Sequence, residues 1–161
     1  MASNPPAAAA APPPSSTTWH QRTLTLPCRG RGAHLITQDL EARVPEIRGY
    51  RIGLLHVFAQ HTSCALSLNE NWDADVRLDM ADALDRIVPE EGSGQELYRH
   101  SCEGADDMPA HVKSALIGAS VSVPISEGKL AMGTWQGVYL LEFRNGKQSR
   151  RLVTTLQGER Y

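Results

Sequence analysis

The stretches SVSVPISEGKLAM (Ser120–Met132), GVYLLEF (Gly137–Phe143) and SRRLVTTL (Ser149–Leu156) decide the fold. Each is a short run rich in β-branched and aliphatic residues, broken by Gly, Ser or Asn, and reads as strand. Ser126-Glu127-Gly128 is a turn suited to an antiparallel hairpin between Ser120–Ile125 and Lys129–Met132. A chain that ends in consecutive strands and gathers its helices in the middle is α+β: a compact single domain of mainly antiparallel strands with a few helices, not a doubly wound parallel sheet.

Upstream, Asp73 opens a helix on which Val76, Met80, Ala83, Leu84 and Ile87 recur at helical spacing, and Pro89 ends it. A second helix runs from about Asp107 to Gly118, with Asp106 or Asp107 as its cap and Pro109 tolerated in its first turn. Thr37 is placed to cap a shorter helix carrying Leu40, Val44 and Ile47, which Pro45 interrupts. Trp19–Leu26 alternates as a first strand. Tyr50–Phe58 carries Ile52, Leu54, His56 and Phe58 on one face and Leu55 and Val57 on the other, the pattern of a central strand. Ala65–Leu68 and Leu97-Tyr98 read as short strands. Residues 1–18 form an Ala/Pro-rich segment that cannot bury a useful face and is expected to be disordered, leaving one domain over residues 19–161.

A net charge of -2 gives no electrostatic footprint for nucleic acid. No apolar run is long enough to span a bilayer as a helix. The three cysteines, Cys28, Cys64 and Cys102, are odd in number and show no Cys-x-x-Cys spacing, which points to a reducing, cytoplasmic setting. Residues 1–18 could serve as an organelle transit peptide, although they contain no Arg or Lys, whereas presequences are usually basic.

Between His100 and His111 the chain packs two imidazoles and the carboxylates of Glu103, Asp106 and Asp107 into twelve residues. His61 follows a strand end, where loops gather and sites form. The other histidines, His20, His34 and His56, are expected to be structural or exposed. Three imidazoles from a strand end, a loop and a helix start can make a tetrahedral site for a divalent metal, zinc being one candidate, with an open position for water or a substrate oxygen. The three carboxylates can orient imidazoles, relay a proton or hold magnesium. Thr62 and Ser63 can donate to a phosphate oxygen, whereas Cys64 reads as a small buried residue. Asn69 and Glu70 can reach a ligand or build the turn before the helix. Gln136 suits a ligand contact or an interface hydrogen bond, and Arg144 an anion fork or a solvated surface.

His61-Thr62-Ser63, Asn69-Glu70-Asn71, Val88-Pro89-Glu90, the run from Glu103 through Asp106-Asp107-Met108-Pro109-Ala110 to Lys113, Val123-Pro124-Ile125 and Gly133-Thr134-Trp135-Gln136-Gly137 together resemble the YjbQ-like family, from about Trp19 to Gly158. The resemblance implies a homotrimer and a histidine-lined pocket able to hold a metal. It also implies a secondary thiamine-phosphate synthase activity, which joins a pyrimidine diphosphate to a thiazole phosphate and releases diphosphate. On this resemblance His61, His100 and His111 are the expected metal ligands, with Glu103, Asp106 and Asp107 as catalytic or supporting carboxylates. Thr62, Ser63, Asn69, Glu70, Gln136 and Arg144 are the expected contacts to a phosphorylated substrate, with magnesium accompanying the diphosphate. A non-catalytic trimer that binds a metabolite or anion is the competing expectation. The chain departs from the family where Glu142-Phe143-Arg144 replaces Glu-His-Arg and where Cys64 replaces a usual Ala or Ser.

Overall fold

A computed structural model describes residues 17–92 and 96–161. The segment expected to be disordered lies outside the described residues as far as residue 16. Its last two members, Thr17 and Thr18, already belong to β1 (Thr17–Thr25). Strand β2 (Gly32–Leu35) leads to α1 (Thr37–Arg43), after which Pro45 lets the chain tighten into a 3-10 turn over Pro45–Gly49. Thr37 is not the cap expected of it. It is the first helical residue, and its Oγ1 accepts the N–H of Val138 at 2.9 Å, tying the helix to a strand.

Strands β3 (Tyr50–Ala59) and β4 (Cys64–Glu70) precede α2 (Ala74–Ile87). Asp73 caps α2 by accepting the N–H of Asp75 at 2.9 Å. Leu97-Tyr98 forms no strand. Tyr98 instead donates its N–H to the Glu91 carboxylate (2.7 Å) and its hydroxyl to the Pro89 carbonyl (2.8 Å), folding the segment back on the end of α2. Helix α3 (Asp107–Ile117) is followed by β5 (Ser120–Ser126), β6 (Lys129–Leu130), β7 (Gln136–Glu142) and β8 (Arg151–Arg160). The β5–β6 hairpin closes through Glu127 and Gly128, both at positive φ (49° and 71°), the geometry whose twist matches that of paired strands.

The strands form an antiparallel five-stranded sheet in the order β1-β8-β3-β5-β6 and a three-stranded sheet in the order β2-β7-β4. Leu55, Val57, Leu152 and Leu156 of the larger sheet pack against Leu66, Val138 and Leu140 of the smaller, with Leu40 of α1 closing the edge. On its other face the smaller sheet presents Ala65, Tyr139 and Leu141 to Met80 and Leu84 of α2 and Ala110 of α3. The layers are therefore helix, sheet, sheet. β7, not β3, is the strand covered on both faces, as its unbroken apolar run requires. β3 is central in its own sheet, but Ile52, Leu54 and Phe58 stand exposed on the outer face, in register with the row that carries Trp19. Among the described residues no helix is long and apolar enough to cross a membrane.

Candidate functional site

Asp106 occupies the N-cap position of α3 without a side-chain cap bond, and Asp107 is the first helical residue. Neither carboxylate caps the helix as expected, because both turn to Arg144. Its Nε donates to Asp106 Oδ2 (2.9 Å), its Nη1 to Asp107 Oδ1, and its Nη2 to the Glu103 carbonyl (2.9 Å). Burial pushes the Asp106 pKa up. The Asn145 backbone N–H, at 2.9 Å, and the Arg144 guanidinium outweigh that and hold it below the usual 3.8. Arg144 is therefore an internal brace, with its fork already filled, and not the free anion clamp of the sequence reading.

Asp107 and His111 stand one helical turn apart on the same face. Asp107 is only 1% exposed. Its Oδ2 lies 2.9 Å from His100 Nε2 and 3.2 Å from His111 Nε2. His111 Nδ1 is 2.8 Å from the Thr62 carbonyl, a group that only accepts, so Nδ1 carries a proton. In the neutral ring Nε2 is then an acceptor facing the acceptor Oδ2. Two such lone pairs at 3.2 Å are reconciled by a proton held between ring and carboxylate or by a cation between them. The three ligand atoms, from His100, Asp107 and His111, all lie within 4.8 Å of one another. Two imidazoles and one carboxylate, with His111 braced from behind by the Thr62 carbonyl and Asp107 by the Arg144 guanidinium, are a fitting donor set for a divalent ion such as zinc.

His61, expected as the third imidazole ligand, stands outside this cluster. Its Nε2 accepts the backbone N–H of Arg151 at 2.6 Å, which occupies that lone pair. Burial, and after it the Arg150 charge, hold its pKa below the ordinary 6.5. It shares with His111 and the exposed Thr62 an open depression of about 470 Å³ beside the cluster. Ser63 cannot meet a substrate there. It is buried, and its Oγ (3.1 Å) and carbonyl (3.2 Å) both accept from Arg150 Nη2. Glu103 is exposed; its carbonyl accepts from Arg144, and its carboxylate adds to the negative charge around that guanidinium.

Beneath the site lies a pair that the sequence reading missed. Arg150 Nε and Nη2 each donate to a Glu142 oxygen at 2.6 Å, a bidentate fork between residues 5% and 1% exposed. The available signal was a carboxylate inside the buried run GVYLLEF, where a charge survives only if paired. Cys64 is fully buried beside this pair, and burial pushes its thiol up to about 11, so it is no nucleophile.

Asn69, Glu70 and Gln136 lie elsewhere. In the β4–β7 ladder Cys64 pairs with Glu142 at the imidazole end, while Glu70 pairs with Gln136 at the other. The intervening seven-residue strand separates the two ends by roughly 20 Å. Within one chain these three residues cannot share a ligand with the imidazoles.

Residues 22–159 match the family model described as UPF0047 protein YjbQ-like. The chain belongs to the YjbQ-like family. It is 47% identical over 141 residues to UPF0047 protein YjbQ of Escherichia coli O157:H7, covering 88% of this chain and 99% of the relative. A Synechocystis UPF0047 protein is 42% identical over 140 residues, covering 87% and 92%. A crystal structure of a YjbQ/UPF0047 family protein from Clostridium acetobutylicum is similar with a TM-score of 0.66 at 34% identity, over 83% of this chain and 97% of that one. A YjbQ-like protein from Sulfolobus solfataricus has a TM-score of 0.77 over 89% and 100% of the two chains; at 22% identity it bears on the fold alone. In this YjbQ-like chain Phe143, the residue that departs from the Glu-His-Arg pattern, is buried with Lys113 Nζ 5.9 Å above its ring. Lys113, itself 1% exposed, pairs with Asp85 at 2.5 Å, so the apolar ring serves packing between the sheet and the helices.

Proposed function

We propose that the chain is an enzyme acting on phosphorylated small molecules, with a divalent cation held by His100, Asp107 and His111, and with secondary thiamine-phosphate synthase activity. One observation carries the metal part: a ligand atom from each of His100, Asp107 and His111 converges to within 4.8 Å of the others, around a carboxylate that is only 1% exposed. A bound divalent ion would supply charge to offset a departing diphosphate. Arg144 and Arg150 spend their donors on Asp106, Asp107 and Glu142, which leaves neither free to do so. Arg144 fixes Asp107, the Thr62 carbonyl fixes the His111 tautomer, and Thr62 stands at the open depression where a phosphate oxygen can be met. The synthase reaction itself is supported by the family resemblance.

A homotrimer is part of this reading, supported by the resemblance and by the uncovered row of Trp19, Leu54 and Phe58. Three free cysteines suit a reducing compartment such as the cytoplasm. The competing reading, a non-catalytic trimer that captures a metabolite or anion, is favoured by one feature: no activated nucleophile stands at the depression, since the Cys64 thiol is pushed up to about 11. Metal analysis after dialysis against zinc or magnesium, followed by incubation with both thiamine precursors, separates the readings. The enzyme reading expects bound metal and product from the wild type, and loss of both in His100→Ala, His111→Ala and Asp107→Asn. His61→Ala is expected to keep its metal. Metal retained by all three cluster variants removes the proposed site, and tight ligand binding without turnover favours the binding protein.

A further inference from the structure

A cavity larger than the depression beside the imidazoles lies elsewhere. It is a cleft of about 1030 Å³ at the opposite end of β4, between α1 and the loops that follow β4 and precede β7. Trp72 and Trp135 line it, 75% and 56% exposed, with ring centroids 5.7 Å apart and planes at 84°. Two indoles this exposed would ordinarily be mobile; here the backbone under them is tied down. The Asn71 N–H donates to the Trp135 carbonyl at 2.9 Å, and Asn71 Nδ2 donates to the carbonyls of Thr134 (3.2 Å) and Gln136 (2.9 Å). Gln136 Oε1 accepts the Gly133 N–H at 2.8 Å and closes the second loop. Glu70 Oε2 accepts the Asp73 N–H at 3.2 Å, and the Glu70 carbonyl accepts the Tyr139 hydroxyl. At Gly137 a Cβ would come within 2.6 Å of Leu35 Cδ2 and 3.1 Å of Asn71 Cβ, so glycine is what lets the two loops meet. Glu70 and Gln136, expected as substrate contacts, thus build a mount for a pair of tryptophans.

The charged groups of the cleft cancel. Arg29 pairs with Asp39 at 2.7 Å, and Glu41 stands on the same wall as Arg43. Several hydrogen-bonding groups have no partner among the described residues: the Gln38 amide, the Glu41 carboxylate and Arg29 Nε, the last buried. Aromatic faces carried on a tied-down backbone, a neutral charge balance and spare donors and acceptors of both kinds describe a site for a flat ring with polar edges. We infer that this cleft binds a small, uncharged nitrogenous heteroaromatic of the nucleobase type, stacked on one indole of the T-shaped tryptophan pair with its edge toward Gln38, Glu41 and Arg29. The site is separate from the imidazole cluster and stands whether or not that cluster holds a metal.

The full chain has three tryptophans, and Trp19 lies on the far sheet, so fluorotryptophan labelling gives a built-in control. Fluorine resonances, assigned with single Trp→Phe variants, are followed while adenosine, nicotinamide or the non-planar control cyclohexanecarboxamide is added to millimolar concentration. At least one planar probe should move Trp72 and Trp135 saturably and leave Trp19 in place, while the control moves none. Trp72→Ala or Trp135→Ala should weaken that probe by about fivefold or more, with Trp72→Phe largely preserving it. If an alanine variant does not fold, the resonance test on the labelled wild type decides. The inference is overturned if no planar probe moves the pair, if all three tryptophans move alike, or if the pair shifts with protein concentration alone, which would make the cleft a contact between copies of the chain.

Discussion

Replacing Glu142 by Gln keeps the shape of the side chain and removes its charge, leaving Arg150 with an unpaired guanidinium in a setting only 5% exposed. Both contacts in the fork are 2.6 Å. At an effective dielectric of about 20, opposite charges with centres roughly 4 Å apart attract by about 4 kcal/mol. Loss of one partner from a buried pair costs about 3–5 kcal/mol by measurement on other proteins. For a chain of this size that corresponds to a fall in Tm of roughly 6–20 °C. The partner variant Arg150→Met also strands the Ser63 hydroxyl and carbonyl, which lose a donor at 3.1 and 3.2 Å. The double variant should therefore remain destabilised by about 1–3 kcal/mol for those unpaired groups, yet fall well short of the sum of the single losses. Urea unfolding followed by circular dichroism, at one fixed protein concentration because assembly shifts apparent stability, measures all three. A Glu142→Gln cost below about 1 kcal/mol, or strict additivity in the cycle, would refute the claim that this fork supports the loop presenting Thr62 and His61.

Other outcomes follow from the same contacts. Arg144→Met removes the donors to Asp106, Asp107 and the Glu103 carbonyl; it should cost about 3 kcal/mol and loosen metal retention at least as much as it lowers stability, read by metal titration beside thermal melts. His61, with its folded pKa held below 6.5, takes up a proton in the unfolded chain first. Its contribution is complete above pH 6.5 and is lost as pH falls from there through the lower folded value, so the urea midpoint should decline across that window and decline less in His61→Gln. Asp85 and Asp106, both below the usual 3.8, add a further loss at more acid pH by the same sign. Alkylation of the native protein at mildly alkaline pH should label the exposed Cys28 and Cys102 and spare Cys64, whose thiol stands at about 11; mass spectrometry locates the adducts.

The strands after Ser120 and the helix from Asp73 were legible because burial of one face writes a period into the sequence. The site was legible only in part, and for a different reason. Side chains one helical turn apart share a face, so Asp107 and His111 carry a local signal, and the sequence reading had both residues but ranked the aspartate as a supporting group behind His61. Strand geometry works the other way: each residue of β4 carries the chain about 3.3 Å onward, so His61-Thr62-Ser63 and Asn69-Glu70-Asn71, close in sequence, arrive at opposite ends of the sheet. The Glu142–Arg150 fork spans a loop between β7 and β8, and no periodicity announces such a pair; only the oddity of a carboxylate among buried aliphatics does. Motifs close together in sequence therefore do two separate physical jobs in this chain. His61 and Thr62 flank the imidazole cluster and Ser63 braces the buried fork, whereas Glu70 and Gln136 build the loops of the tryptophan cleft. A single reaction drawing on both sets would have to take one from each of two neighbouring copies of the chain.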